Sequence, residues 1–175
     1  MGVITRRALA VVLLSAAVVT AGAVPAQSAP ARSSSAQSSS AQLAPDFGLT
    51  GVRTGRHPGF DRVVLDFAGS APPEVHNYRF VDELTQDGSG HIEWLTGTVF
   101  LEVIIFGTYT HDFEGNPIYT GPPKFRTRNL SNVMAVSVPP TYEAVLTLGI
   151  GIRKKTWARV FTLTSPSRIV IDVGR

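Results

Sequence analysis

The sequence predicts an all-β domain, a sandwich or barrel of antiparallel strands, running over residues 46–175. Three observations carry this. After residue 46 the chain breaks into short β-branched and aromatic runs punctuated by Gly, Pro and Asn, the texture of strands and tight turns. Several of those runs alternate apolar and polar residues with the period of a strand. No stretch there shows a 3.6-residue apolar period, so helices of more than about three turns are not expected.

Two segments precede that domain. Arg6 and Arg7 form a basic head, an uncharged apolar run follows over 8–23, and small residues gather at 21–31. This is the layout of a secretory signal peptide over 1–29, with cleavage expected between Val24 and Arg32. The run falls short of the ~20 residues that cross a bilayer, so no membrane association is expected after cleavage. Either the general or the twin-arginine export route suits the pair of arginines. Residues 30–45, with RSSSAQSSSAQ at 32–42, hold too little apolar area to offset ordering and read as a disordered tether.

Eight strands are expected within the domain, over 49–54, 62–67, 75–81, 98–106, 133–138, 143–152, 159–164 and 168–173. The alternation at 75–81 assigns His76, Tyr78 and Phe80 to one face and Asn77 and Arg79 to the other. TVFLEVIIF at 98–106 is apolar on both faces apart from Glu102, which predicts a central, doubly covered strand with Glu102 paired to an arginine. In 143–152, Ala144, Leu146, Leu148, Ile150 and Ile152 share a face; Gly149 and Gly151 lie opposite, where a bulge or close backbone approach is expected. The stretch 107–132 is long and aromatic, and long loops are often functional.

Composition narrows the function. The chain has 16 Lys+Arg against 13 Asp+Glu; without Arg6 and Arg7 it is 14 against 13, or +1. A domain so near neutrality lacks the overall charge of a nucleic-acid binder. The absence of cysteine excludes disulfides, thiolate metal sites, a cysteine nucleophile and a lipidated N-terminal cysteine. Stability must come from the core, for which about 130 residues suffice.

RVVLDF at 62–67 and RIVIDV at 168–173 repeat one pattern. Residues four apart in a strand share a face, so Arg62 with Asp66, and Arg168 with Asp172, stand opposite an apolar face. If the two strands are neighbours, these residues form a structural charge ladder.

These two strands, with VFTL at 160–163 and Pro166 before the second, resemble the AMIN domain, a β-sandwich of bacterial envelope proteins that include some cell-wall amidases. The wider chain is similar to the AMIN-like domain of secreted actinobacterial proteins, through RHPGFDR at 56–62, QDGSG at 86–90, His111-Asp112, YTGP at 119–122 and LTLGIGI at 146–152. The resemblance implies a sandwich, a secreted or cell-envelope location and, for the AMIN branch, targeting to peptidoglycan. The AMIN domain is shorter and lacks the 107–132 insertion.

No catalytic constellation accompanies this pattern, so no enzyme is expected. There is no Gly-x-Ser-x-Gly elbow and no His-Glu-x-x-His, and His57, His76, His91 and His111 are scattered without metal-ligand spacing. Asp112, Glu114 and Asn116 alternate loosely as calcium ligands do, but Gly115 is misplaced for such a loop, so a polar turn is expected. Neither a metal nor a cofactor is called for. An amidase would need a zinc domain after this one, and the last predicted strand runs almost to Arg175. Trp94 and Trp157 are the residues best suited to stack on sugars, or else they are part of the core.

The expected contacts are loop residues that combine hydrogen-bonding and aromatic groups: Arg56, His57, Asp61, Tyr109, His111, Asp112 and Tyr119. His57, Asp61, His111 and Asp112 are expected to meet at one end of the sandwich as a polar rim, although Asp61 also suits a plain turn residue. The reading is a non-enzymatic envelope module that binds peptidoglycan or another wall glycan. The alternative is a domain that docks a secreted or envelope protein, for instance by strand addition at a sheet edge.

Overall fold

The computed structural model describes residues 47–175; the expected leader (1–29) and the whole of the tether (30–45) lie outside the described residues, as does Asp46. Nine strands and no helix occur among them: β1 (Leu49–His57), β2 (Phe60–Phe67), β3 (Glu74–Val81), β4 (Val99–Phe106), β5 (Lys124–Arg126), β6 (Val133–Ser137), β7 (Val145–Ile152), β8 (Ala158–Thr164) and β9 (Ser167–Gly174). They form two antiparallel sheets, β1-β2-β9-β8 and β3-β4-β7-β6-β5. The predicted all-β sandwich is the fold observed.

The two sheets close over one core because each offers an apolar face at strand period. Val63, Leu65 and Phe67 of β2 and Ile169, Ile171 and Val173 of β9 meet Leu101, Val103 and Ile105 of β4 and Leu146, Leu148, Ile150 and Ile152 of β7, all buried. Truncating one such residue, Leu148→Ala for example, removes about 2–5 kcal/mol of stability. The repeated strands β2 and β9 are neighbours, the condition under which their charges can pair.

Four details depart from the expected strands. First, β1 and β2 are longer and join through Pro58-Gly59, with Gly59 at φ 87°, where a residue without Cβ suits the turn. Second, β5 lies inside the stretch expected to be loop; three residues are too few to show a period. Third, a bulge in β3 places two residues, Val75 and His76, against one on β4. His76 thereby leaves the face of Tyr78 and Phe80 and stacks on Phe106 of β4 at 4.1 Å. Fourth, Glu143 and Ala144 take positive φ and form a turn, so Ala144 is not part of the apolar row of β7.

β4 is central, between β3 and β7, but its second face is only partly covered, with Phe106 exposed. The cover of the five-stranded sheet lies instead over β7. Residues 82–98 cross its outer face, and Gly149 and Gly151 make room: a Cβ on Gly149 would strike the Leu84 side chain, and one on Gly151 would overlap the Thr96 carbonyl oxygen. The expected close backbone approach is therefore supplied by this segment. Glu93, buried within it, accepts a hydrogen bond from Ser137 Oγ at 2.5 Å and one from Gln86 Nε2 at 2.7 Å, and pairs with Lys124 at 2.8 Å. Burial raises the Glu93 carboxyl, and these donors more than offset it, holding it below the usual range.

Candidate functional site

The structure divides the expected contact residues between the two ends of β1. The Leu49 N–H donates to the Tyr109 carbonyl, and the Tyr119 N–H donates to the Thr110 carbonyl. Tyr109, His111, Asp112 and Tyr119 therefore gather at the start of β1. Arg56 and His57 lie at its far end, about 25 Å away at ~3.3 Å per residue. The expected meeting of His57 and Asp61 with His111 and Asp112 does not occur.

At the start of β1, Tyr119 stands between two depressions. One, of about 470 Å³, is lined by Thr50, Gly51 and Val52 of β1, by Pro122 and by Phe125 of β5. The other, of about 260 Å³, lies toward His111, Val138 and Pro140. The Tyr119 ring packs against the core and over Gly121, where a Cβ would press into it, and its hydroxyl donates to the Pro122 carbonyl at 3.2 Å. Burial raises the Tyr119 phenol above its ordinary value, so it stays a neutral hydroxyl. His111 Nδ1 lies 3.1 Å from Thr110 Oγ1, and Tyr109 meets Phe113 edge to face.

Asp112 is occupied by its own turn. The Asn116 side-chain amide donates to it at 2.8 Å, and the Asn116 and Glu114 backbone N–H groups donate at 2.7 and 3.0 Å. These bonds hold its carboxyl below the usual range. Both oxygens serve as turn acceptors, the polar-turn reading of this segment.

At the far end, Asp61 is a strand residue, fully buried at 0% exposure, and does not sit on a rim. One carboxylate oxygen accepts the backbone N–H of Asn132 at 2.6 Å and of Val133 at 3.0 Å. The other lies 3.4 Å from Arg175 Nε, close enough for an ion pair but not aligned for a hydrogen bond. His57 stacks flat on Phe60 at 4.9 Å, and Trp157, 51% exposed, leans on Phe60 across Gly174.

The charge ladder is half as expected. Arg62 and Asp172 face each other across β2 and β9, with two hydrogen bonds of 2.6 and 2.9 Å, and Arg159 of β8 adds a third at 3.0 Å. Burial raises the Asp172 carboxyl, and the two guanidinium groups together bring it below the usual range. Asp66 faces Arg168 in register but pairs with Arg53 of β1 at 2.7 Å. Arg168 turns back to the carbonyls of Pro166 and Ser165. Glu102 pairs with Arg79 of β3 at 2.7 Å, as expected.

Sequence reasoning missed one cluster. Arg126, Arg128 and Arg153 line a cleft of about 380 Å³ with Thr96, and no carboxylate lines it. A neighbouring depression of about 250 Å³ shares Thr96 and Arg126 and is bordered by Trp94, which is 78% exposed and outside the core. The available signal was KFRTR at 124–128 with RKK at 153–155, two cationic runs that the whole-chain charge conceals.

A family model described as the AMIN-like domain matches residues 48–175, nearly the whole described chain. No curated protein and no solved structure matches.

Proposed function

The chain belongs to the AMIN-like domain family, and on that premise we propose that it is an exported, non-catalytic binding module of the cell envelope that holds a wall glycan. The carrying observation is the groove on either side of Tyr119, where a fixed ring, a neutral hydroxyl and the His111 imidazole line an apolar trough. Sugars are held by such groups through stacking and hydrogen bonds. The four histidines add support for a non-catalytic role: His57 and His76 are stacked on separate sheets, and His91 and His111 lie in different loops.

Co-sedimentation with purified peptidoglycan tests this reading. The protein should pellet with the polymer at low and at high salt alike, because hydrogen bonding and stacking are little screened. Tyr119→Phe and His111→Ala should weaken retention, whereas His57→Ala, at the far end of β1, should not. A protein that stays in the supernatant at both salts refutes the glycan reading and favours docking of an envelope protein.

A further inference from the structure

We propose that the groove from Trp94 past Arg126 to Arg128 and Arg153 is a second binding site, one for an anionic saccharide polymer. It goes beyond the Tyr119 reading and stands or falls separately, because the two sites share only Phe125 and rest on different polar residues and opposite salt behaviour.

Elsewhere in the described domain, Arg53, Arg62, Arg79, Arg159 and Arg175 each lie against a carboxylate, and Arg168 bonds two backbone carbonyls; Arg56, on β1, pairs with neither. Arg126, Arg128 and Arg153 are exposed and line one cleft, and among the described residues their side chains have neither an ion pair nor a hydrogen bond. Three like charges converging without a partner repel one another, and an anionic ligand relieves that repulsion.

The backbone that carries the cations is held in place. Asn132, buried, donates its side-chain amide to the Lys154 carbonyl at 3.0 Å and to the Gly174 carbonyl at 2.6 Å, while its side-chain oxygen accepts the Lys154 N–H at 2.9 Å. Its backbone carbonyl accepts the Arg153 N–H at 2.9 Å, and Asp61 accepts its own N–H. On the other side of the cleft, just after β5, the Thr127 N–H donates to the Met134 carbonyl and Thr127 Oγ1 donates to the Val133 carbonyl. The backbone on both sides of the cleft is thus tied to the start of β6. With the backbone fixed, binding has only the arginine side chains to order.

The ligand class follows from the side chains. Planar guanidinium groups match carboxylates and phosphodiesters through paired N–H donors. Trp94 offers a flat apolar face at the rim, suited to a sugar ring. The adjacent Lys124 already pairs with Glu93 and bonds the Trp94 carbonyl, so the available charge is that of the three arginines. A chain with anionic groups attached to sugars satisfies both halves of the groove. Uronate carboxylates and phosphodiesters share that chemistry.

Fluorescence titration of the purified protein provides the test, with polygalacturonate, poly(glycerol phosphate), neutral dextran and an oligo(dT) of matched charge, each at 50 and 500 mM NaCl. At least one of the two polyanions should bind, and the arm that responds identifies carboxylate or phosphodiester. Three charge contacts imply a loss of about a hundredfold to several hundredfold in affinity across that salt range. The Arg126→Ala/Arg153→Ala double variant should bind at least tenfold more weakly, Trp94→Ala severalfold more weakly, and His57→Ala as the parent does. Arg126→Lys, which keeps the charge but loses the planar fork, should fall between. The proposal is overturned if neither polyanion binds, if oligo(dT) binds as tightly, if the double variant loses dextran binding equally, or if the double variant, with an unchanged far-ultraviolet spectrum, binds the polyanion normally.

Discussion

Two regions of this domain carry several arginines each, and they differ in what surrounds them. On the outer face of the four-stranded sheet, Arg62 and Arg159 converge on buried Asp172, Arg53 holds Asp66, and Arg62 and Arg159 also lie over the Phe161 ring at 5.7 and 5.0 Å. At the edge of the five-stranded sheet, Arg126, Arg128 and Arg153 meet around a cleft with no acid in it. The first group completes itself within the fold, whereas the second leaves its charge outstanding. Arginine in a strand pattern is therefore read correctly only once its neighbours on the next strand are known. The comparison predicts that substitutions in the first region change stability and that those in the second change binding.

The largest effect expected is at Asp61, whose carboxylate connects the two regions. Asp61→Ala leaves the N–H groups of Asn132 and Val133 without their acceptor in the interior and removes the partner of Arg175. A loss of about 3–4 kcal/mol in denaturant unfolding is expected, with the cleft weakened as well because Asn132 frames it. A loss under 1 kcal/mol would separate the two regions more sharply than drawn here.

Next is Asp172. Asp172→Ala strips Arg62 and Arg159 of their shared partner and should cost about 2–3 kcal/mol, with polyanion binding unchanged. The exposed pair Arg53–Asp66 should give less than about 1 kcal/mol in the same assay.

Acid should act on the same residues. Asp172 and Glu93 have carboxyls below their ordinary range in the fold, so their contribution is present in full above about pH 5 and is lost as pH falls from there through their lowered folded values. Unfolding free energy measured from pH 6 to pH 2 should fall steeply below pH 4. Asp172→Asn should be less stable at neutral pH and show a shallower fall.

The smallest effect belongs to the cleft. Arg126→Ala or Arg153→Ala should change unfolding free energy by no more than about 0.5 kcal/mol, and in the stabilising direction at low salt, since each removes one of three mutually repelling charges. A clear loss of stability would mean that the arginine makes contacts within the fold that the comparison denies it.

How much of this was legible in the sequence follows from the range of each interaction. The core strands were, because the apolar faces of β2, β7 and β9 repeat at period two and glycines 149 and 151 marked a close approach. The bulge at His76 was not, since an inserted residue leaves the local pattern looking regular. Asp61 read as a turn residue because its acceptor role depends on Asn132 and Val133, 71 and 72 positions away. Tyr119 and His111 lie near one another because they belong to one loop, but the separation of His57 from them is set by the length of β1. The cleft was hidden by averaging: a near-neutral total concealed two cationic runs that the pairing of β5, β6 and β7 brings together.

One experiment measures both halves of the comparison at once. Arg62→Ala and the Arg126→Ala/Arg153→Ala double variant are each carried through denaturant unfolding and through elution from an immobilised polyanion, whichever of polygalacturonate or poly(glycerol phosphate) retains the parent, under a rising salt gradient. The account predicts that Arg62→Ala loses about 2 kcal/mol of stability yet elutes with the parent, whereas the double variant keeps its stability and elutes at distinctly lower salt. It is contradicted if Arg62→Ala elutes early, or if the double variant is retained like the parent.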